Sequence, residues 1–266
     1  MSNFERSEPP EFLPPELARR EFVYALGAAA GLAGWAGTSS SPAQASPQDT
    51  APTGEPAAKE ATNDRQPDQI LARLMAGNER FVGGKTKLAP RTPADFARDA
   101  LGQSPPAIVL GCADSRVPPE FVFDQPVGGL FVLRVAGNIV GSGPILKGSI
   151  EFAVAELGAR LIIVMGHSGC GACQAAITHI EANDALPGSI GGMVDYIRPV
   201  VRQVAAVPGE KSAAEKLVLV TKANAIANAK RLAELDPIVA PLVKSGQVKA
   251  VGAFYDLATG RVEILG

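Results

Sequence analysis

Two of the three cysteines and one of the two histidines lie together in MGHSGCGAC, residues 165–173. His167 and Cys170 flank a short glycine-containing turn, and glycine allows the backbone turns that a compact loop needs. Imidazole nitrogen and thiolate sulfur are ligands that Zn²⁺ prefers, and the thiolate is also the reactive form of cysteine. The stretch therefore indicates a metal site or an activated thiol.

The surrounding pattern predicts the elements that position this stretch. Four apolar runs are typical of buried strands: AIVLGC (107–112), LFVLRV (130–135), LIIVMGH (161–167) and VKAVGAFY (248–255). Between the second and third runs, residues 143–159 have a helical period, with one apolar face formed by Ile145, Ile150, Val154 and Leu157. Apolar strands with helical crossovers predict an α/β fold with a mainly parallel central sheet flanked by helices. The terminal GAFYDLATGRVEIL predicts an antiparallel edge hairpin turning at Thr259-Gly260.

The predicted strands also place the third cysteine, Cys112, near this stretch. Cys112 ends the first predicted strand and His167 ends the third, and ligands of open α/β sheets collect at the carboxyl ends of strands. Cys112, His167 and Cys170 would supply two thiolates and an imidazole, which leaves one tetrahedral Zn²⁺ position for water. The competing interpretation is a set of buried cysteines that only pack and a histidine that is only hydrogen-bonded. The glycines around Cys170 and the positions of Cys112 and His167 at two strand ends together favour a zinc site over packing alone.

Asp114 and Arg116 follow Cys112 at alternate positions, so an extended segment would point all three side chains into one pocket. Zinc brings the pKa of bound water toward about 7, and two thiolates should weaken this effect. Arg116 would keep Asp114 ionised, and that carboxylate would accept a hydrogen bond from the resulting hydroxide and orient it. A structural ion pair that caps a turn is the alternative interpretation.

The motifs CADSR (112–116), RVAGN (134–138) and GHSGCGAC (166–173) resemble those of the β-class carbonic anhydrases, in their plant-like branch. The resemblance extends to GAFYDLATG near the end of the chain. It implies a zinc lyase that interconverts CO₂ and bicarbonate, with Cys112, His167 and Cys170 as ligands. It also implies that Asp114 and Arg116 are catalytic. In part of the family the matching aspartate closes the site as a fourth zinc ligand, so Asp114 is either an orienting group or a ligand.

The same resemblance implies a substrate pocket and an oligomer. Gln103 matches a glutamine that hydrogen-bonds substrate, Phe131 matches an apolar pocket residue, and Phe152 stands where that branch often has tyrosine. Gly171, beside Cys170, is also assigned to the substrate pocket. An apolar wall suits CO₂, although both phenylalanines would otherwise be interpreted as core. Family members form dimers with active sites at the interface, which implies a homodimer or an assembly of dimers.

Cys173 completes a CxxC with Cys170, which is also the pattern of a redox dithiol. A zinc ligand does not cycle between thiol and disulfide, so we interpret Cys173 as a packing residue. His179 is interpreted as a solvated helix histidine rather than a proton shuttle.

Three other functions stay open beside CO₂ hydration. The first is hydrolysis of carbonyl sulfide or carbon disulfide on the same zinc site. The second is a structural or regulatory zinc module without catalysis, in which Asp114 or Cys173 fills the fourth position. A substrate-facing Gln103 and the retained Arg116 argue against such a closed site. The third is thiol–disulfide exchange, which predicts activity without zinc.

The composition excludes several classes of protein. The chain has 266 residues, 46% of them hydrophobic and 20% charged, which is ordinary globular usage. The formal net charge is −2, and no lysine and arginine cluster is interleaved with aromatics, so we expect no nucleic-acid partner. Three cysteines do not suit a disulfide scaffold.

The first residues have the pattern of a targeting segment. Arg19-Arg20-Glu21-Phe22-Val23 resembles a twin-arginine export signal, and an apolar run and Ala43-Gln44-Ala45 follow it, so residues 1–45 are interpreted as a cleavable signal peptide. The glycine-interrupted run is shorter than the roughly 20 apolar residues of a membrane span, so we expect no stable membrane insertion after cleavage. Residues 46–64 are predicted as a disordered linker and 65–266 as the catalytic domain. These features predict a periplasmic or otherwise extracytoplasmic enzyme. A chance arginine pair before an Ala/Gly-rich tail is the alternative.

Overall fold

The computed structural model describes residues 65–87, 92–97, 100, 102–141, 143–184 and 186–266. The predicted signal peptide and linker, residues 1–64, lie outside the described residues. The helices are α1 (Pro67–Val82), α2 (Pro93–Ala97), α3 (Pro119–Val122), α4 (Pro144–Ala155), α5 (Gly171–Ala182), α6 (Ile190–Asp195), α7 (Arg198–Ala205), α8 (Ala213–Ala233) and α9 (Val239–Lys244). The strands are β1 (Ala107–Gly111), β2 (Leu130–Arg134), β3 (Leu161–His167), β4 (Lys249–Tyr255) and β5 (Val262–Leu265). Within these ranges, no helix combines the length and apolar character of a membrane span.

The five strands form one sheet in the order β2-β1-β3-β4-β5. The first four are parallel, and β5 pairs antiparallel with β4 after a turn in which Gly260 has a φ of +73°. The predicted fold class and edge hairpin are therefore confirmed. Every residue of β1 and β3 is buried, as the near-continuous apolar runs predict for central strands.

Helices cover both faces of this sheet. On one face, Ile70 and Leu74 of α1 pack with Val109 and Ile163 of the central strands. On the other face, α4 and α8 pack against the alternate strand residues, with Ile150 of α4 fully buried. The predicted apolar face of α4 is thus confirmed at Ile150 and Val154.

The prediction is wrong at Ile145, whose surface is 83% exposed. Ile145 lies in the first turn of α4, which begins at Pro144, and it is five positions before Ile150. At about 100° per residue this spacing turns its side chain roughly 140° away from the buried stripe. The apolar period therefore identified the helix but not the side chains that reach the core at its first turn.

Gly77 lies at the closest approach of α1 to the end of α3. A Cβ placed at Gly77 would lie 1.9 Å from the carbonyl oxygen of Phe123, a backbone atom that cannot rotate away. We expect Gly77→Ala to lower the free energy of unfolding by about 3 kcal/mol, the upper end for overpacking. Gly192→Ala in α6 is the control, since its Cβ would meet nothing within 4 Å. Urea unfolding of both variants checks this, and equal midpoints would contradict it.

Candidate metal centre

Three side chains that can ligate metal meet at the carboxyl end of the sheet. Cys112 follows β1, His167 is the last residue of β3, and Cys170 is the N-cap residue of α5. Because β1 and β3 are neighbouring parallel strands, their ends bring Cys112 and His167 together. The two sulfur atoms and a ring nitrogen lie within 4.8 Å of one another. All three residues are buried, with exposed fractions of 4%, 0% and 0% respectively.

The imidazole of His167 is oriented by its own loop. Nδ1 lies 3.0 Å from the carbonyl oxygen of Ser168, which accepts a hydrogen bond and therefore fixes the proton on Nδ1. Nε2 is buried and has no hydrogen-bond partner among the described residues. A buried ring nitrogen without a partner suits a metal ligand, because a metal ion would satisfy the lone pair that it has in the neutral imidazole.

The sulfur atom of Cys112 also lies in an environment that suits a metal-bound thiolate. The backbone amides of Gly137 and Asp114 donate to Sγ at 3.3 Å and 3.4 Å. The hydrogen bond with Cys170, together with burial, raises the pKa of Cys112 to about 12. Cys112 in turn lowers the pKa of Cys170, but Cys173 and burial outweigh this effect and bring it to about 11. Without metal, both thiols keep their protons at neutral pH. The donor set of two thiols and one imidazole thus fits zinc, which displaces such protons on binding.

These raised pKa values predict how zinc affinity depends on pH. Both thiols must lose a proton on binding, and both pKa values lie above 9, so lowering the pH strengthens proton competition. We expect the apparent affinity to fall about 100-fold for each pH unit between pH 9 and 7. Competition with a chelator of known affinity measures this slope. A tenfold change per unit would mean that only one thiol gives up a proton, which contradicts the two-thiolate site.

Asp114 lies beside the three ligands and is held by Arg116. The guanidinium Nε and Nη2 donate to the two carboxylate oxygens at 2.9 Å and 2.7 Å, and the Arg116 amide donates to Oδ1 at 3.0 Å. These hydrogen bonds, the side-chain ones first, hold the pKa of Asp114 well below its usual range. Oδ2 of Asp114 lies 3.9 Å from Nε2 of His167. The carboxylate therefore borders the ligand atoms while it stays paired with Arg116, which is the arrangement of an orienting group.

Arg134, at the end of β2, also contacts this loop. Its Nε donates to the carbonyl oxygen of Cys112 at 2.9 Å, and its Nη2 donates to that of Asp114. No role of this side chain was predicted from the sequence. The available signal was its place in RVAGN, at the end of a predicted strand.

Two asparagines of α8 hold the segment that follows β2. Asn224 donates to the carbonyl oxygen of Gly137 at 2.8 Å, and Asn228 accepts from the amide of Val140 at 2.9 Å. Both are buried. These hydrogen bonds support the Gly137 backbone that contacts Cys112, and they were not predicted from the sequence. Polar residues four apart on one helix face were the signal.

The predicted substrate residues lie in different places. Gly171 is next to Cys170, at the start of α5. Phe131 pairs in register with Ile108, four residues or about 13 Å along β1 from Cys112. Gln103 precedes β1 and lines a surface cavity of about 590 Å³. Phe152 is on α4 and is 49% exposed. Within one chain, the structure therefore brings Gly171 to the metal ligands and leaves Gln103 and Phe131 toward the opposite end of β1.

The two remaining candidates have other surroundings. Cys173 is fully buried in an apolar cluster with Ile177 and Val220, as expected of a packing residue. His179 pairs with Asp184, whose Oδ1 lies 2.6 Å from Nδ1. His179 thus lies within hydrogen-bond distance of a carboxylate near the end of α5.

Known proteins share this sequence pattern and fold. The carbonic anhydrase family model matches residues 107–262. Carbonic anhydrase 2 of Mycobacterium tuberculosis is 36% identical over 190 residues, which cover 71% of this chain and 87% of that protein. A carbonic anhydrase of Pseudomonas aeruginosa is 38% identical over 174 residues, which cover 64% of this chain and 77% of that protein.

Solved structures agree with these relatives. A tetrameric β-carbonic anhydrase of Sordaria macrospora has a TM-score of 0.59 and 26% identity, covering 74% of this chain and 96% of its own. The Coccomyxa β-carbonic anhydrase in complex with acetazolamide has a TM-score of 0.58 and 28% identity, covering 73% of this chain and 86% of its own. The metal-ligand geometry, the family match and the folds together show that this chain belongs to the β-carbonic anhydrase family.

Proposed function

We propose that this chain catalyses the reversible hydration of CO₂ to bicarbonate and a proton as a zinc-dependent carbonic anhydrase. The observation that carries this function is the buried group of Cys112, His167 and Cys170 with an ionised Asp114 at its border. These three residues would hold the zinc ion. When bound, zinc supplies a Lewis acid that acidifies water near neutral pH.

Asp114 performs the orienting step. Its depressed pKa keeps the carboxylate ionised throughout the neutral range, so it accepts hydrogen bonds and donates none. An O–H of the attacking water donates a hydrogen bond to this carboxylate, which leaves a lone pair of the water oxygen directed at the carbon of CO₂. The new C–O bond gives bicarbonate, and the proton leaves to solvent or buffer. Arg116 fixes the carboxylate plane through its two side-chain hydrogen bonds, and Arg134 fixes the backbone on either side of Ala113.

A direct comparison of substrates tests this function. We expect a zinc-loaded sample to hydrate CO₂ in a stopped-flow assay far faster than it hydrolyses carbonyl sulfide or carbon disulfide. Faster turnover of either sulfur compound would reassign the same site to the sulfur hydrolases. Stoichiometric zinc without turnover of any of the three would leave a structural or regulatory zinc module.

We propose that a second copy of the chain completes the substrate pocket. Phe131 pairs with Ile108, about 13 Å before Cys112 along the strand direction, and Gln103 precedes β1 altogether. β2 is an edge strand that pairs only with β1 in the described sheet. Ile145 and Phe152 of α4 are exposed and form apolar surface that a second copy of the chain could cover. We therefore propose a homodimer, or an assembly of dimers, in which one protomer contributes Gln103, Phe131 and Phe152 to the site of its partner. The tetrameric Sordaria macrospora enzyme is an oligomeric relative.

Phe152→Asp tests this assembly, because a buried carboxylate would oppose association. We expect the variant to sediment as a smaller species and to lose CO₂ hydration while it keeps its zinc. Leu219→Asp is the matched control, since Leu219 is 41% exposed on α8. Wild-type sedimentation of Phe152→Asp would contradict the proposal.

We also propose that the chain is exported by the twin-arginine pathway to the periplasm or another extracytoplasmic space. Support comes from the arginine pair Arg19-Arg20 before the apolar run and from Ala43-Gln44-Ala45 after it. Fractionation of cells that express the full chain tests this proposal. Export of the wild type and retention of a variant with lysine at both arginine positions support it, while a cytoplasmic wild type contradicts it.

A further inference from the structure

We propose that Ser168 is a positioning residue for the metal ligand His167. The hydroxyl of Ser168 takes the place of its own carbonyl in the sheet, and this leaves the carbonyl oxygen to hold the imidazole. The inference rests on the proposed zinc site and adds to it a residue that is not one of the three ligands.

Ser168 directly follows β3, and the register of β3 and β4 continues to it. His167 lies opposite Tyr255, so Ser168 lies opposite Asp256. In a parallel ladder, a residue that donates to the residue before its partner also accepts from the residue after its partner. The amide of Ser168 does donate to the carbonyl oxygen of Tyr255, at 2.9 Å. A regular ladder would then pair the carbonyl oxygen of Ser168 with the amide of Leu257.

The structure replaces this carbonyl with a side-chain oxygen. The amide of Leu257 donates to Oγ of Ser168 at 2.9 Å, so the hydroxyl oxygen is the acceptor at this step of the ladder. The carbonyl oxygen of Ser168 lies instead 3.0 Å from Nδ1 of His167. The hydroxyl therefore satisfies the amide of the sheet, and the carbonyl is released to the imidazole.

This hydrogen bond determines which ring nitrogen of His167 is left for a metal ion. The ring is fully buried, and Nε2 has no hydrogen-bond partner in the described part of the chain. With Nδ1 turned toward the Ser168 carbonyl, Nε2 is the free nitrogen, and it lies 3.9 Å from Oδ2 of Asp114. A hydrogen bond at the second ring nitrogen is the usual way in which proteins orient a histidine ligand.

The donor that Ser168 meets belongs to a turn with hydrogen bonds of its own. Leu257 lies in the turn between β4 and β5. In this turn the amide of Asp256 donates to the carbonyl oxygen of Arg261 at 2.9 Å, and the amide of Gly260 donates to that of Asp256 at 2.8 Å. The carboxylate of Asp256 also accepts from the amide of Ala258 at 2.8 Å. The Leu257 amide is therefore a fixed donor.

Asn78 of α1 also holds this turn. Its side chain is buried, its Nδ2 donates to the carbonyl oxygen of Gly260 at 2.8 Å, and its Oδ1 accepts from the amide of Val262 at 2.9 Å. The turn is thus tied to a helix as well as to β4. A change at Ser168 has to be absorbed by Ser168 itself and not by the turn.

Removal of the hydroxyl puts two donors in competition for one carbonyl. In Ser168→Ala the Leu257 amide loses its acceptor, and we expect the carbonyl of residue 168 to turn toward it and to weaken its bond to His167. Loss of an outer partner costs about 10- to 100-fold in metal affinity. We expect zinc affinity to fall about 10-fold, the lower end, because a carbonyl oxygen has two lone pairs and keeps part of the bond.

Two measurements on the full chain test this role without an activity assay. Competition with a chelator gives the zinc affinity, and NMR of zinc-loaded protein labelled with ¹⁵N in histidine gives the solvent exchange of the His167 Nδ1 proton. His179 is the other histidine of the sequence, and its partly exposed ring is an internal reference. In Ser168→Ala we expect exchange to become about 10-fold faster, the effect of one hydrogen bond. Ser168→Thr keeps the hydroxyl and should restore both values.

Thr259→Ala is the matched control, because Oγ1 of Thr259 accepts from the amide of Arg261 at 3.4 Å in the same turn. Unchanged zinc affinity and proton exchange in Ser168→Ala overturn the positioning role and leave the zinc site intact. Equal changes in Thr259→Ala, or no recovery in Ser168→Thr, also overturn it. A wild-type chain that binds no zinc overturns the metal site itself, and the positioning role with it.

Discussion

Cys112→Ser is expected to lose zinc and CO₂ hydration together. The variant removes one of the two sulfur ligands and leaves a hydroxyl that binds zinc poorly without deprotonation. Substitution of the outer partners of metal ligands already costs about 10- to 100-fold, so we expect removal of a ligand to lower hydration by more than about 100-fold. Metal analysis and stopped-flow hydration on the same purified sample measure both losses.

Cys173→Ser is the control for this prediction. It makes the same chemical change in the same buried cluster without removing any of the three ligands. We expect it to keep about one zinc per chain. Full zinc and unchanged hydration in Cys112→Ser would contradict the assignment of Cys112 as a ligand.

Asp114→Asn is expected to separate metal binding from catalysis. The amide keeps the size of the carboxylate, but its NH₂ group cannot accept a hydrogen bond from the attacking water or from Arg116. We expect zinc to stay bound while hydration falls about 100-fold or more, the range for loss of a positioned acid or base. The steady-state rate at saturating CO₂ measures this loss, because a correctly placed orienting group acts after substrate has bound.

Asp195→Asn is the matched control, because Asp195 pairs with Arg198 at 2.7 Å on the exposed surface. Removing this ion pair tests whether the loss of any Asp–Arg pair lowers the rate of CO₂ hydration. Equal rates for Asp114→Asn and the wild type would mean that Asp114 and Arg116 form only a structural ion pair. Loss of zinc from Asp114→Asn would instead identify Asp114 as a metal ligand, which contradicts the orienting role.

The sequence predicted the sheet well because strand burial leaves a strong pattern. The apolar run at 161–167 coincides with β3, and the other three predicted strands differ from the observed ones by one residue at one end. Cys112 and His167 each end a predicted strand. They were predicted to lie together because the carboxyl ends of parallel strands meet at the same edge of a sheet. The three residues of the candidate metal centre could therefore be derived from local sequence and topology alone.

The supporting contacts could not be predicted in this way. Arg134 and Asn224 reach the site from β2 and α8, and their contacts depend on helix rotation and on interaxial distance. An apolar period fixes such rotation only approximately, as exposed Ile145 demonstrates. A motif match also gives a role to Gln103 without saying whether it serves its own chain or a partner.

Titration of the zinc-free protein with Zn²⁺, with stopped-flow CO₂ hydration recorded at each addition, tests the central claim most directly. The account predicts that the rate rises in proportion to added zinc and stops rising at about one zinc per chain, the capacity of a single Cys₂His site. Hydration by the zinc-free protein, or a protein that binds one zinc per chain and hydrates no CO₂, would contradict it.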